Sequence, residues 1–131
     1  MNSIYGPTNP SPEEQDVTGI RRYAELVELV SEKEEIYRQM HAQVWLEVVA
    51  AIKRAHVYNY SIWLAELGVK KYLFRYFEYH GTDPNRDFAG IAEDPTVRDK
   101  WWPITDGTQV HIPGTPAGEQ WLPAEQLMYL P

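Results

Sequence analysis

Residues 58 to 79 constrain the fold more than any other part of the chain. The run YNYSIWLA puts Tyr58, Tyr60, Ile62 and Leu64 on one side and Asn59, Ser61 and Trp63 on the other, the period of two that a β-strand imposes. Gly68 then turns the chain, and KKYLFRYFEYH, dense in aromatics, reads as the return strand of an antiparallel hairpin. Large side chains occupy both faces of that second strand, with Tyr72, Phe74 and Tyr76 opposite Leu73, Phe77 and Tyr79. Neither face therefore suits open water, and each needs a covering layer.

The flanking segments supply one of those layers. Residues 1 to 20, with three Pro and two Gly among polar residues, read as an extended arm, and a single domain is expected over 21–131. From Arg21, RRYAELVELV has strand-like composition. It feeds SEKEEIYRQM, where Ser31 stands three residues ahead of Glu34 as a possible capping box. Ile36, Met40, Val44, Val48 and Ile52 then recur every four residues, which predicts one amphipathic helix ending near Arg54. After Gly81, Asp83 and Asp94 each precede a proline, the signature of a helix N-cap followed by Pro in the first turn, so two short helical pieces are expected. Residues 103 to 119 read as a long loop and WLPAEQLMYLP as a last strand. The order strand, helix, strand, strand, helix, strand is the split βαβ pattern of ferredoxin-like α+β folds, an antiparallel sheet with both helices on one face. A second copy packed sheet to sheet would cover the other face, which predicts a two-fold homodimer forming an α+β barrel.

Composition narrows the chemistry. With 131 residues the chain is one ordinary domain. Nineteen acidic residues against twelve basic ones give a net charge of -7, which repels phosphate backbones, so nucleic acid is not an expected partner. No run approaches the roughly 18 to 20 apolar residues that cross a bilayer, and the start lacks the basic and apolar regions of a signal peptide, so no membrane partner and a cytoplasmic location are expected. There is no cysteine, hence no thiolate nucleophile or ligand. The remaining His56, His80 and His111 fall on different elements without metal-ligand spacing, and neither phosphate-binding glycine motifs nor GxSxG occur. Neither a metal nor a cofactor is expected.

Two clusters stand out against that background. Tyr37, His41 and Trp45 are spaced i, i+4, i+8 along one side of the predicted helix, within its apolar stripe. A histidine there is either a satisfied core imidazole or an acid/base group in a pocket, able to lend and reclaim a proton near neutral pH. Trp101 and Trp102 stand side by side just before the Pro and Gly rich loop. They either plug the sheet edge or offer a ring to stack on the apolar face of a pyranose. Five Trp and nine Tyr against three Phe mean that most rings carry a polar handle, which suits either a sugar face or a core whose ring tips reach the surface or a subunit interface.

The segments YRQMHAQVW, NYSIWL, YLFRYFEY, the WW pair followed by TD, and the terminal LMYLP occur in an order that resembles the L-rhamnose mutarotase family, from about Arg21 to Pro131. The resemblance implies a dimeric ferredoxin-like α+β barrel, active without cofactor, that interconverts the anomers of a 6-deoxy-L-hexose, L-rhamnose or L-fucose. It further implies that His41 is the proton donor, that Tyr37 contacts substrate, and that Tyr60, Trp101 and Trp102 line the sugar pocket, with Asp106 of the TD pair nearby. Members often carry a proline-bearing HNPxWPE after the histidine. This chain has HAQVWLEV, with Ala42, Gln43 and Leu46 at the differing positions. Beside mutarotation stand two other readings of such a fold, a sugar-binding module without turnover and a cofactor-free oxygenase.

Overall fold

Period-two strands and helical apolar spacing resolve into an α+β architecture, one curled antiparallel sheet with its helices packed on a single face. The computed structural model describes residues 3, 4 and 6–130. Met1, Asn2 and Tyr5 of the arm and Pro131 of the terminal motif lie outside them. Along the chain come α1 (Pro12–Thr18), β1 (Arg21–Leu29), α2 (Glu34–Ala42), α3 (Leu46–Arg54), β2 (Val57–Leu67), β3 (Lys70–Tyr79), α4 (Pro84–Ile91), α5 (Trp102–Asp106), β4 (Gln109–Val110) and β5 (Leu122–Pro123). The sheet order is β2-β3-β1-β4, with β5 also paired to β1.

The hairpin forms where alternation puts it, and Gly68, at φ +66, takes the left-handed first position of its two-residue turn. One residue departs from strict alternation. Three steps on β2 from Tyr58 to Ser61 oppose two on β3, a bulge centred on Asn59 at φ +50. Tyr58 and Tyr60 consequently face opposite sides rather than sharing one. Tyr60 stacks on Phe77 toward the helices at 5.6 Å, while Tyr58 stacks on His80 at 4.5 Å.

Four further expectations are corrected. The arm is not extended throughout: Ser11 caps α1 by accepting from the Glu14 amide at 3.2 Å, Pro12 enters its first turn, and Gly19 closes it at φ +80. Buried Gln15 then accepts from the Arg22 amide at 2.8 Å and ties the segment to β1. The long first helix is two, because Gln43 leaves helical backbone angles and Trp45 is extended, at the β-branched and aromatic Val44–Trp45 pair, weak helix formers. The break leaves Ile36 and Val44 exposed, and Tyr37 is the buried residue of α2. Ser31 forms no box with Glu34, whose carboxylate holds Arg38 at 2.7 Å and Lys71 of β3 instead. The final strand also shrinks to β5 alone, since Pro123 brings no N–H to a ladder, and β4 inside the supposed loop shares its edge position.

Both expected proline-led helix starts are present, with Asp83 accepting from the Arg86 amide at 3.2 Å and Asp94 from the Thr96 and Val97 amides at 2.8 and 3.1 Å. Three apolar groups make the core beneath the helices. Val27, Leu29 and Leu73 surround Tyr37 and Trp121; Val48, Ala51 and Val97 pack on Trp101; Ala55, Val57 and Phe77 meet Phe88 and Tyr23. Buried Tyr79 anchors α4: its hydroxyl accepts from the Asp83 amide at 2.8 Å and donates to Asp87. A Cβ on Gly81 would overlap that hydroxyl. Gly81→Ala is accordingly expected to cost about 1–3 kcal/mol of stability, read as a lowered urea midpoint; an unchanged midpoint would show that the turn simply yields.

Candidate active site

Two adjoining cavities open on the helix-covered side of the sheet. The larger, about 550 Å³, falls within the roughly 300–1,000 Å³ of small-molecule sites. Tyr60, Trp101 and Trp102 line it. The second, about 430 Å³, is lined by Tyr37 and His41 together with Ile62, Trp63 and Leu64 of β2. The expected site residues thus divide between two neighbouring spaces. Trp101 joins them, since its ring meets His41 edge-on at 5.4 Å and Trp45 at 5.0 Å.

One helical turn positions His41. Its ring stacks on Tyr37 at 4.0 Å, and Nδ1 lies 2.9 Å from the Tyr37 carbonyl oxygen, four residues earlier. A carbonyl can only accept, so Nδ1 carries the hydrogen and the neutral ring keeps its lone pair on Nε2. Burial lowers the His41 pKa below the ordinary imidazole value, against the smaller opposing effect of that backbone bond. The resting form is therefore a neutral imidazole poised to take a proton at Nε2.

The centre of the larger cavity is a residue that motif reading passed over. Arg75 of β3 faces Glu25 of β1 across the ladder, with Nε and Nη2 at 2.8 and 2.7 Å from Oε1. Its guanidinium lies 4.3 Å from the centre of the Trp121 ring, and Nη1 is 3.4 Å from the Tyr60 hydroxyl. Its charge reaches further. Burial drives the Tyr37 phenol well above its usual range and raises the Asp106 carboxyl, and in both cases Arg75 pulls the other way. Glu25 and Tyr60 contact the cation, and its field extends to Tyr37 and Asp106. A signal for it existed: Leu73, Arg75, Phe77 and Tyr79 alternate on one face of β3, so a charge falls in an otherwise apolar row.

The segment after β4 closes the cavity. Gln120 bridges it, donating from Nε2 to Gln109 Oε1 at 2.9 Å while its own Oε1 lies 3.1 Å from His111 Nε2. Trp121, buried, presents its ring to Arg75. At the other end Arg21 lines the opening, held by Asp16 of α1 with Nε to Oδ1 at 3.0 Å. Among the described residues no three His, Asp or Glu side chains gather closely enough to hold a metal ion, and no helix is long and apolar enough to cross a membrane.

Comparison with known proteins bears on what this arrangement does. The chain is 31% identical over 83 residues to an L-rhamnose mutarotase of Bacillus subtilis, covering 63% of this chain and 74% of the relative. It is 26% identical over 83 residues, with the same coverage, to an L-rhamnose mutarotase of Oceanobacillus iheyensis. Its fold matches the crystal structure of an L-rhamnose mutarotase from Formosa agariphila with a TM-score of 0.60 at 22% identity, over 85% of this chain and 99% of the other. The family model for L-rhamnose mutarotases matches residues 22–130, almost all of the sheet and helices and every side chain placed around the two cavities except Arg21 and Asp16. The chain belongs to the L-rhamnose mutarotase family, carbohydrate isomerases of the mutarotase type.

Proposed function

We propose that the protein interconverts the α and β anomers of L-rhamnose, with His41 moving the proton that opens and closes the ring. The observation that carries this reading is the neutral His41, its Nδ1 committed to a backbone carbonyl, held between Tyr37 and Trp101 where the two cavities meet. Mutarotation needs a proton removed from the anomeric hydroxyl and one delivered to the ring oxygen as the bond between C1 and that oxygen breaks. The open-chain aldehyde then turns about its C1–C2 bond, and the same steps in reverse close the ring on the other carbonyl face. Because the resting imidazole lacks a proton on Nε2, it first takes one from the anomeric hydroxyl and then gives it to the ring oxygen. Tyr37 and Tyr60 orient sugar oxygens, and Trp102, half-buried at the larger cavity, stacks on the face bearing the 6-methyl group.

The uncovered sheet face supports a homodimer within the same reading. Trp63, exposed beside Phe74, and Leu26 opposite Phe74 across the ladder make an apolar surface that the helices do not reach. A second copy of the sheet covers it most simply.

The test is NMR exchange between the two anomeric protons at equilibrium, for L-rhamnose and L-fucose, with catalytic amounts of protein. Faster exchange for L-rhamnose is expected, with L-fucose slower. Spontaneous rates for both sugars, with saturable binding, would instead make the protein a binding module.

A further inference from the structure

We propose that the Arg75–Glu25 pair reads the ring hydroxyls of the sugar, Arg75 donating and Glu25 accepting, and so decides which neutral sugars the larger cavity takes. The inference rests on the mutarotase reading and deepens it to the specificity of the same site.

The bonding inside the pair leaves valences over. Both near nitrogens of Arg75 go to one oxygen, Glu25 Oε1, and among the described residues Oε2 has no hydrogen-bond partner. Nη1 has only the Tyr60 hydroxyl at 3.4 Å, beyond the usual N–H···O range of about 2.7–3.2 Å. The pair is shielded without being sealed, with 23% and 14% of the two side chains exposed, and both line the larger cavity. Trp121 beneath the guanidinium fixes its plane. Donor and acceptor thus stand side by side on a rigid strand pair, with charges that cancel. That combination suits two neighbouring hydroxyls of an uncharged sugar better than a carboxylate or phosphate, which would meet Glu25. Stability alone does not account for the pair, because a half-buried ion pair is commonly replaced by apolar residues at little cost.

The experiment compares L-rhamnose with its 2-, 3- and 4-deoxy analogues on the wild type, Arg75→Met, and the double variant Arg75→Met with Glu25→Leu. The double variant removes both charges of the pair together, so its fold, checked by circular dichroism, survives where the single one fails. Binding is read from tryptophan fluorescence, to which Trp121 contributes, and turnover from anomer exchange. For L-rhamnose the double variant is expected to bind about tenfold or more weaker and to raise KM in parallel, with kcat changed far less, because hydroxyls remote from C1 are held alike before and during the reaction. The loss should vanish for the analogue lacking the hydroxyl that the pair reads. Binding within twofold of wild type, or an equal loss for every analogue, overturns the proposal. Wild-type binding with this hydroxyl dependence but no accelerated exchange would leave recognition standing and remove the mutarotase reading instead.

Discussion

With His41 replaced by alanine, anomer exchange of L-rhamnose is expected to slow by roughly a hundredfold or more while sugar binding weakens much less. The imidazole beside Tyr37 and Trp101 can take up and give back a proton at Nε2 with its tautomer already fixed, so its loss removes the proton carrier. Its surroundings hold without it: Tyr37 is locked among Val27, Leu29 and Leu73, and Trp101 among Val48, Ala51 and Val97. The exchange rate and a binding titration on the same sample separate the two effects, and a variant rate within twofold of wild type would remove His41 from the chemistry. The pH profile gives a second check. The lowered pKa of His41 keeps Nε2 free to below the ordinary imidazole range, so activity should hold as pH falls past about 6.5 and fade only at the lower, folded-state value. Stability follows the same sign: the unfolded chain binds the proton first, so the contribution of neutral His41 is complete above the unfolded value and is lost as pH drops through the folded one.

Trp101→Ala is expected to cost about 3–5 kcal/mol of folding free energy, a fall in Tm of roughly 10–20 °C. The ring is 5% exposed and fills the space between α3 and the turn before α5, with Trp45 and His41 edge-on against it. Truncation empties that space at the join of the cavities, so activity should fall together with stability. Its neighbour makes the contrast. Trp102 is half-buried, so Trp102→Ala should cost only about 1 kcal/mol of stability and act mainly on sugar affinity. Thermal melts of the two variants, with sugar titration, check the division. Equal melting losses would mean that both tryptophans are packing residues.

Adjacent letters in the sequence therefore hold different positions. Position alone could not say which tryptophan is which, because the answer depends on where α3 lies, and α3 exists as a separate helix only through the break at Gln43–Trp45. Strand pairing was legible, since the 58–79 alternation and Gly68 define the hairpin, though only the Leu67–Lys70 pairing fixes its turn at two residues. The Asn59 bulge was not, because a bulge shows only when the partner strand supplies the count. It also matters for the site, as it turns Tyr60 toward Phe77 and Arg75. Tyr37, His41, Trp101 and Trp102 were recognisable by residue type and by resemblance. Arg75 left only a charge in the apolar row of β3, and its meeting with Glu25 and Trp121 left nothing, since it depends on cross-strand register and on the path of residues 111–121.

The two sides of β1 are unequally secured. Toward β3 it pairs along nine positions; on the other edge two residues of β4 and two of β5 share the work, with eleven unpaired residues between them. That edge is the weakest seam of the sheet, and it carries Gln120 and Trp121, one wall of the larger cavity. Backbone pairing holds this edge at four residues only, and the burial of Trp121 among Val27, Leu29 and Leu73 supplies the rest of its hold. One wall of the larger cavity thus stands on a side chain seated in the core rather than on a ladder, so a change at Trp121 would loosen cavity and core together.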